Sequence, residues 1–146
     1  MEIRKAAMKD FKTLYRIGLR TPELNVSDGA FMDRKEFKWY IVNRHAVFLV
    51  AEKNGRIAGF ICANTRDTER AAEHECACIV YVAVLPGYRK KGLATALFKE
   101  CIRQLKKKRI KYIFVWVNAK SKPIQKFMEK QGLKKGHACI WMDKSI

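Results

Sequence analysis

The 146-residue sequence predicts an α+β (mixed α/β) fold on one mixed sheet, in the order β-α-α-β-β-β-α-β-α-β. Three observations carry that prediction. Two apolar runs joined by Asn54-Gly55 read as an antiparallel hairpin. A later apolar run, a glycine-opened amphipathic helix and another apolar run read as a β-α-β crossover, whose two strands pair in parallel. A chain of this length with 49% hydrophobic residues buries roughly two-thirds of its unfolded surface, so its core needs no disulfide or metal. With no linker, repeat or low-complexity segment in view, residues 1–146 are expected to be a single domain.

The elements follow in order. Residues 3–7 form a short strand. Residues 8–20 show helical spacing, with Met8, Phe11, Leu14, Tyr15 and Ile17 near one face. Pro22, Ser27 and Gly29 mark a loop, and Asp33 is placed to cap a second helix that runs to Asn43 and carries Phe37, Tyr40 and Ile41. The hairpin strands span 46–52 and 56–64, and a polar loop over 65–73 leads to a long strand at 74–84. Pro86-Gly87 stops that strand, and a helix from Gly92 to about Lys108 places Ala94, Leu97, Phe98, Cys101 and Leu105 on one stripe. Its last turn holds Lys106, Lys107, Lys108 and Arg109, cations at the negative end of the helix dipole. Residues 110–117 read as a parallel strand covered on both faces. Residues 121–131 read as a helix with Pro123 in its first turn and Gly132 closing it, and 136–142 as a last strand.

Thirty-one Lys and Arg against fourteen Asp and Glu give a net charge of +17. That field attracts polyanions such as nucleic acid, an anionic cofactor, an acidic protein or a ribosome, and it also suits a solvated surface in a hot or salty cytosol. The cysteines at 62, 76, 78, 101 and 139 form no CxxC pair, as expected of buried, reduced thiols in the cytoplasm. His45, His74 and His137 are scattered without metal-ligand spacing, so no metal is expected. No apolar run approaches the ~20 residues of a membrane span and no signal core opens the chain, which points to a soluble cytoplasmic protein, monomer or homodimer, without a membrane partner.

The chemistry concentrates where the long strand turns through Leu85-Pro86-Gly87-Tyr88 into Arg89-Lys90-Lys91-Gly92-Leu93-Ala94 and a helix. A helix N-terminus offers unpaired N–H groups and a positive dipole end to a diphosphate, and a glycine lets that ligand approach the backbone. The three cations add charge at the rim. Without Gly-Lys-Ser/Thr this is not a Walker A loop, and no second glycine stands where it would support a dinucleotide fingerprint. Read alone, it is equally a basic loop capping a helix.

Arg-x-x-Gly-x-Ala, preceded by Val82-Ala83-Val84-Leu85-Pro86-Gly87-Tyr88, resembles the acetyl-CoA motif of the GNAT (Gcn5-related) N-acetyltransferases. Phe127-Met128-Glu129-Lys130-Gln131-Gly132-Leu133 is similar to the family's Phe-Tyr-Glu-Lys-x-Gly-Phe block. The order of elements agrees over essentially the whole chain. The resemblance implies the GNAT fold, with the sheet splayed between its fourth and fifth strands, and transfer of an acetyl group from acetyl-CoA to an amine. It also implies that backbone groups of Val82, Ala83 and Val84 take the pantetheine arm and thioester, with the Val84 N–H as oxyanion donor. Backbone N–H groups of Arg89, Lys90, Lys91, Gly92, Leu93 and Ala94, with Thr95, would hold the pyrophosphate. Ser121 stands where the family often has an Asn for the CoA arm, and Asn118 is near enough in sequence to replace it.

The chain departs from the family at its proton-transfer positions. Met128 stands where many members carry a Tyr acid, Trp116 where ribosomal-protein acetyltransferases have a Glu, and Cys78 where histone-type members have one. Substitute bases are Glu73 and Glu75 at the start of the fourth strand, acting through water, and Glu23 in the loop between the first two helices. Tyr40 and Tyr81 are candidates to line the acceptor cleft. Two other readings stand beside catalysis. One is a CoA-binding protein of this fold that has lost it. The other is a nucleic-acid-binding module, since residues 89–112 hold ten Lys/Arg and one acidic residue.

Overall fold

Five strands form one sheet in chain order: β1 (Glu2–Lys5), β2 (Ala46–Lys53), β3 (Arg56–Asn64), β4 (Cys76–Val84) and β5 (Tyr112–Phe114). The first four pair antiparallel and β5 joins β4 in parallel, as the hairpin and crossover signals predict. The helices are α1 (Phe11–Leu19), α2 (Arg34–Val42), α3 (Leu93–Lys107) and α4 (Lys122–Lys130). The computed structural model describes residues 1–24, 31–66 and 75–146. They fall into two compact units, Met1–Trp116 and Val117–Ile146.

Local chemistry accounts for the first unit. Asp33 caps α2, its Oδ1 accepting from the amides of Lys35 (2.8 Å) and Glu36 (3.2 Å). The Asn54-Gly55 turn has positive φ at both residues (52° and 70°), the two-residue geometry whose twist suits a hairpin. Helices α1 and α2 cover one face of the sheet, where Phe37 is fully buried and its ring lies 5.4–5.6 Å from those of Phe31, Phe48 and Tyr15. Helix α3 packs on β2, β3 and β4 through Leu97, Phe98, Cys101 and Leu105, which belong to a separate buried set on the opposite face. At one edge, Arg4 clamps the buried Asp10 through two guanidinium bonds (2.8 and 3.0 Å) and reaches Glu52 at 2.9 Å.

Three expectations are corrected. The strand foreseen over 110–117 is only three residues long and is not doubly covered. As the last strand in the sheet it has one neighbour, and Tyr112 is exposed. The strand foreseen over 136–142 does not form. A strand exists only through a ladder with a neighbour, the second unit contains no other strand, and Ile140, Trp141 and Met142 lie exposed. Of the five cysteines, 62, 76, 78 and 101 are buried but Cys139, on that same extended segment, is exposed. In the second unit α4 is closed by Gly132 (φ 93°) and by the Leu133 amide donating to the Met128 carbonyl at 3.0 Å.

Candidate active site

Strand β4 pairs with β3 from Asn64↔Cys78 to Gly59↔Val84, but with β5 only at Cys76, Ala77 and Cys78. The two parallel strands part there, and residues 79–84 of β4 have a strand on one side only. About 20 Å of strand edge is thereby left to be paired by something other than the sheet. An extended molecule with amide groups can add to such an edge as a strand would. Val82 and Val84 are half-buried along this stretch and Ala83 is buried.

The edge runs into a tightly tied loop. The Leu85 amide donates to the Ala58 carbonyl (2.9 Å), the turn Pro86–Tyr88 follows, and the Tyr88 amide donates back to the Leu85 carbonyl (2.9 Å). Arg89 folds back so that its Nε donates to the Val84 carbonyl (2.9 Å), and Lys91 Nζ donates to the Gly87 carbonyl (3.0 Å). Lys90 and Gly92 both adopt positive φ (57° and 79°). Gly92 is the N-cap of α3 and supplies no side chain to its amides; the first helical bond runs from the Ala96 amide to the Gly92 carbonyl (2.9 Å). The Leu93 and Ala94 amides precede that bond, at the positive end of the helix dipole. A Cβ built on Gly92 meets nothing within 4 Å, so the space above this helix end is open to a ligand. Exposed cations at Arg89, Lys90 and Lys91 ring it.

One residue that positions this site escaped the sequence reading. A Cβ on Gly59 would lie 2.6 Å from the Ala83 carbonyl oxygen and 3.1 Å from both Leu93 Cδ2 and Val84 Cγ2. Its absence lets the end of β4 and the first residue of α3 close on β3. A glycine inside a strand is the signal that could have found it, since it marks close backbone approach.

A family model described as the acetyltransferase (GNAT) family matches residues 11–133, which take in the open edge, the loop and α3. The chain belongs to the GNAT acetyltransferase family.

Relatives of this GNAT protein include an uncharacterised N-acetyltransferase of Methanocaldococcus jannaschii, 29% identical over 96 residues, a match spanning 66% of this chain and 42% of that one. The chain therefore matches less than half the length of that relative. An uncharacterised N-acetyltransferase of Archaeoglobus fulgidus is 23% identical over 139 residues, spanning 92% and 94%. Among solved structures, an aminoglycoside N-acetyltransferase in complex with CoA superposes with a TM-score of 0.77 at 19% identity, covering 99% of this chain and all of that one. The ribosomal-protein-S18-alanine N-acetyltransferase of Escherichia coli gives 0.75 at 20%, covering 93% and 79%. These structural likenesses speak for the fold.

Of the candidate bases, Glu75 and Glu23 are among the described residues. Glu75 lies nine residues before Val84, about 30 Å along an extended strand, and its carboxylate is bound to Lys111 Nζ at 2.9 Å. It is at the wrong end of β4 to serve an amine at Val84. Glu23 is exposed in the turn Pro22–Leu24, on the way out of α1. Glu73 and His74 lie outside the described residues. Asn118 and Ser121 sit in the second unit, where the Ser121 amide donates to the Asn118 carbonyl (2.9 Å) and Asn118 Oδ1 accepts from the Lys120 amide (2.9 Å). Met128 is the buried residue of α4, Trp116 is exposed, and Cys78 is a buried thiol with its Sγ 3.7 Å from the Ile79 carbonyl. Neither a thioether nor an indole exchanges protons near neutral pH. Among the described residues no cluster of His, Cys, Asp or Glu is placed to hold a metal, and no helix is long and apolar enough to cross a membrane.

Proposed function

We propose that this GNAT protein transfers the acetyl group of acetyl-CoA to a primary amine by direct attack in a ternary complex, with a protein N-terminus or lysine favoured over a polyamine. The observation that carries the reading is the edge of β4 over residues 79–84 that β5 leaves unpaired, which leads through a short tied loop to a glycine-capped helix end. The edge suits the amide-bearing pantetheine arm, held by backbone groups of Val82, Ala83 and Val84. The amides of Leu93 and Ala94, with Arg89, Lys90, Lys91, Gly92 and Thr95 around them, suit the pyrophosphate.

In this scheme the amine nitrogen adds to the thioester carbon, and the oxyanion that forms is met by the Val84 N–H, a contribution of ~3 kcal/mol when preorganised. The carbon–sulfur bond then breaks, the thiolate departs with its electron pair, and the nitrogen loses its surplus proton to water. With Glu75 turned to Lys111 and Met128 and Trp116 inert, no strong base is shown for the nitrogen among these described residues, which favours an amine that is already neutral. An α-amine titrates at about 7.7–8.0 and a lysine near 10.4, so deprotonating the lysine costs roughly 3–4 kcal/mol more. Glu23 is the one expected base that is described and has no ion pair shown. The charge of +17 repels polyamines and suits an acidic protein or a nascent chain on a ribosome, and the buried thiols suit the cytoplasm. Asn118 and Ser121 are proposed for the CoA arm.

A second reading is CoA binding without catalysis, favoured by the replacement of the family's usual acid and base side chains by Met128, Trp116 and Cys78. One experiment separates the two: thermal shift with acetyl-CoA, then coenzyme release with N-terminal peptides, lysine peptides and spermidine. Stabilisation with turnover on an amine supports transfer, and stabilisation without turnover supports the second reading. No stabilisation at millimolar acetyl-CoA defeats both.

A further inference from the structure

Within the aromatic cluster beneath α1 and α2 one polar atom has no use for the fold. Tyr81, on β4, is 4% exposed, and its hydroxyl is the buried side-chain oxygen that makes no hydrogen bond among the described residues. Its ring packs 5.5 Å from Phe31 and 6.5 Å from Phe37, in a cluster that also holds Phe48 and Phe60. A phenylalanine would pack there as well, while an unpaired buried hydroxyl costs about 1–3 kcal/mol. Polar groups retained at such a cost mark places where a ligand completes the bonding.

The surroundings say which ligand. Burial raises the Tyr81 phenol well above its ordinary range, and Tyr40, Glu36 and Cys62 raise it further, so it stays protonated and acts through hydrogen bonds. Glu36 and Tyr40 stand one turn apart on α2, Glu36 exposed and Tyr40 buried, and both act electrostatically on the Tyr81 phenol. Along β4, Tyr81 precedes Val84 by three residues, about 10 Å, on the stretch that β5 leaves unpaired. A group at that distance meets the body of the acceptor and not its reacting nitrogen.

We infer that Tyr81 is a specificity-determining residue of the acceptor site, its buried hydroxyl hydrogen-bonding the polar body of the amine acceptor beside α2. The inference rests on acetyl transfer taking place at the end of β4. The hydroxyl contributes ground-state binding that persists unchanged in the transition state, so it sets KM and leaves kcat alone.

Tyr81→Phe tests this with two readouts. Acceptor kinetics use whichever probe the wild-type protein turns over best: a hexapeptide with a free N-terminus, an N-blocked lysine peptide or spermidine. The expected result is a KM for that acceptor about 5- to 10-fold higher, with kcat and the KM for acetyl-CoA unchanged and a melting temperature equal to or above wild type. A purely structural hydroxyl would instead lower the melting temperature and leave the acceptor KM where it was, which overturns the inference. An unchanged KM in a stable variant overturns it too, and leaves acetyl transfer standing. Absence of turnover by the wild-type protein on every amine overturns both.

Discussion

Replacing Gly92 separates the folding role of the loop from its binding role. Gly92 has φ 79° and ψ 0°, a left-handed conformation in which any residue with a Cβ is strained by about 1–2 kcal/mol. Nothing lies within 4 Å of a Cβ built there, so Gly92→Ala adds no clash and its stability cost is that strain alone. In a chain of this length the loss lowers the melting temperature by about 3–6 °C. Gly92→Glu has the same backbone cost and adds an anion where a diphosphate would sit. Two unit charges 4 Å apart repel by about 4 kcal/mol at the effective dielectric of a partly exposed site, and half of that lowers affinity about 30-fold. Circular dichroism melting gives the first number and isothermal titration with CoA the second. A folded Gly92→Glu protein, melting within the expected few degrees of wild type and binding CoA with unchanged Kd, would refute the placement of the pyrophosphate.

Gly59→Ala forces a Cβ to 2.6 Å from the backbone oxygen of Ala83, and a destabilisation of about 1–3 kcal/mol is expected in denaturant melts. Glu75→Gln leaves kcat within about twofold, because the carboxylate is bound to Lys111 at the far end of β4; a hundredfold loss in steady-state kinetics would show that the proton path had been misplaced. The hydrogen bonds from Arg4 hold the Asp10 carboxyl below its usual range, against the opposing effect of burial. A lowered folded pKa means that this stabilisation is complete above about pH 4 and is lost as pH falls through the folded value. Thermal melts from pH 7 to 2 should therefore fall less steeply in Asp10→Asn than in wild type.

What was legible in the sequence was what short-range chemistry decides. Asn54-Gly55 demands a tight hairpin, Asp33 caps α2, and Gly92 opens α3 in the conformation that glycine tolerates. What was not legible depends on partners distant along the chain. The apolar run at 136–142 reads as a strand from composition alone, yet no neighbour in its unit completes a ladder with it. A register shift at Cys62/Ala63 pairs Cys62 with Tyr81 and Ala63 with Ile79, so Val80 is extra on β4. Such a bulge resets which side chains face which helices, and counting alternate residues cannot reveal it. Tyr81 was for that reason recognisable as a cleft candidate but not as a buried, unpaired hydroxyl. The separation of Glu75 from Val84 follows from strand length, but its engagement by Lys111 depends on the parallel pairing of β4 with β5.

The central claim is that the open end of β4 and the start of α3 form the acetyl-CoA site. Backbone amide NMR during titration with CoA tests it most directly. Saturable shifts, with one-site stoichiometry, are expected at the amides of Val82, Ala83, Val84 and of residues 89–95. Shifts confined to the far end of the sheet, around Lys106, Lys107, Lys108 and Lys111, and fading steeply with added salt, would contradict it and favour a polyanion surface in its place.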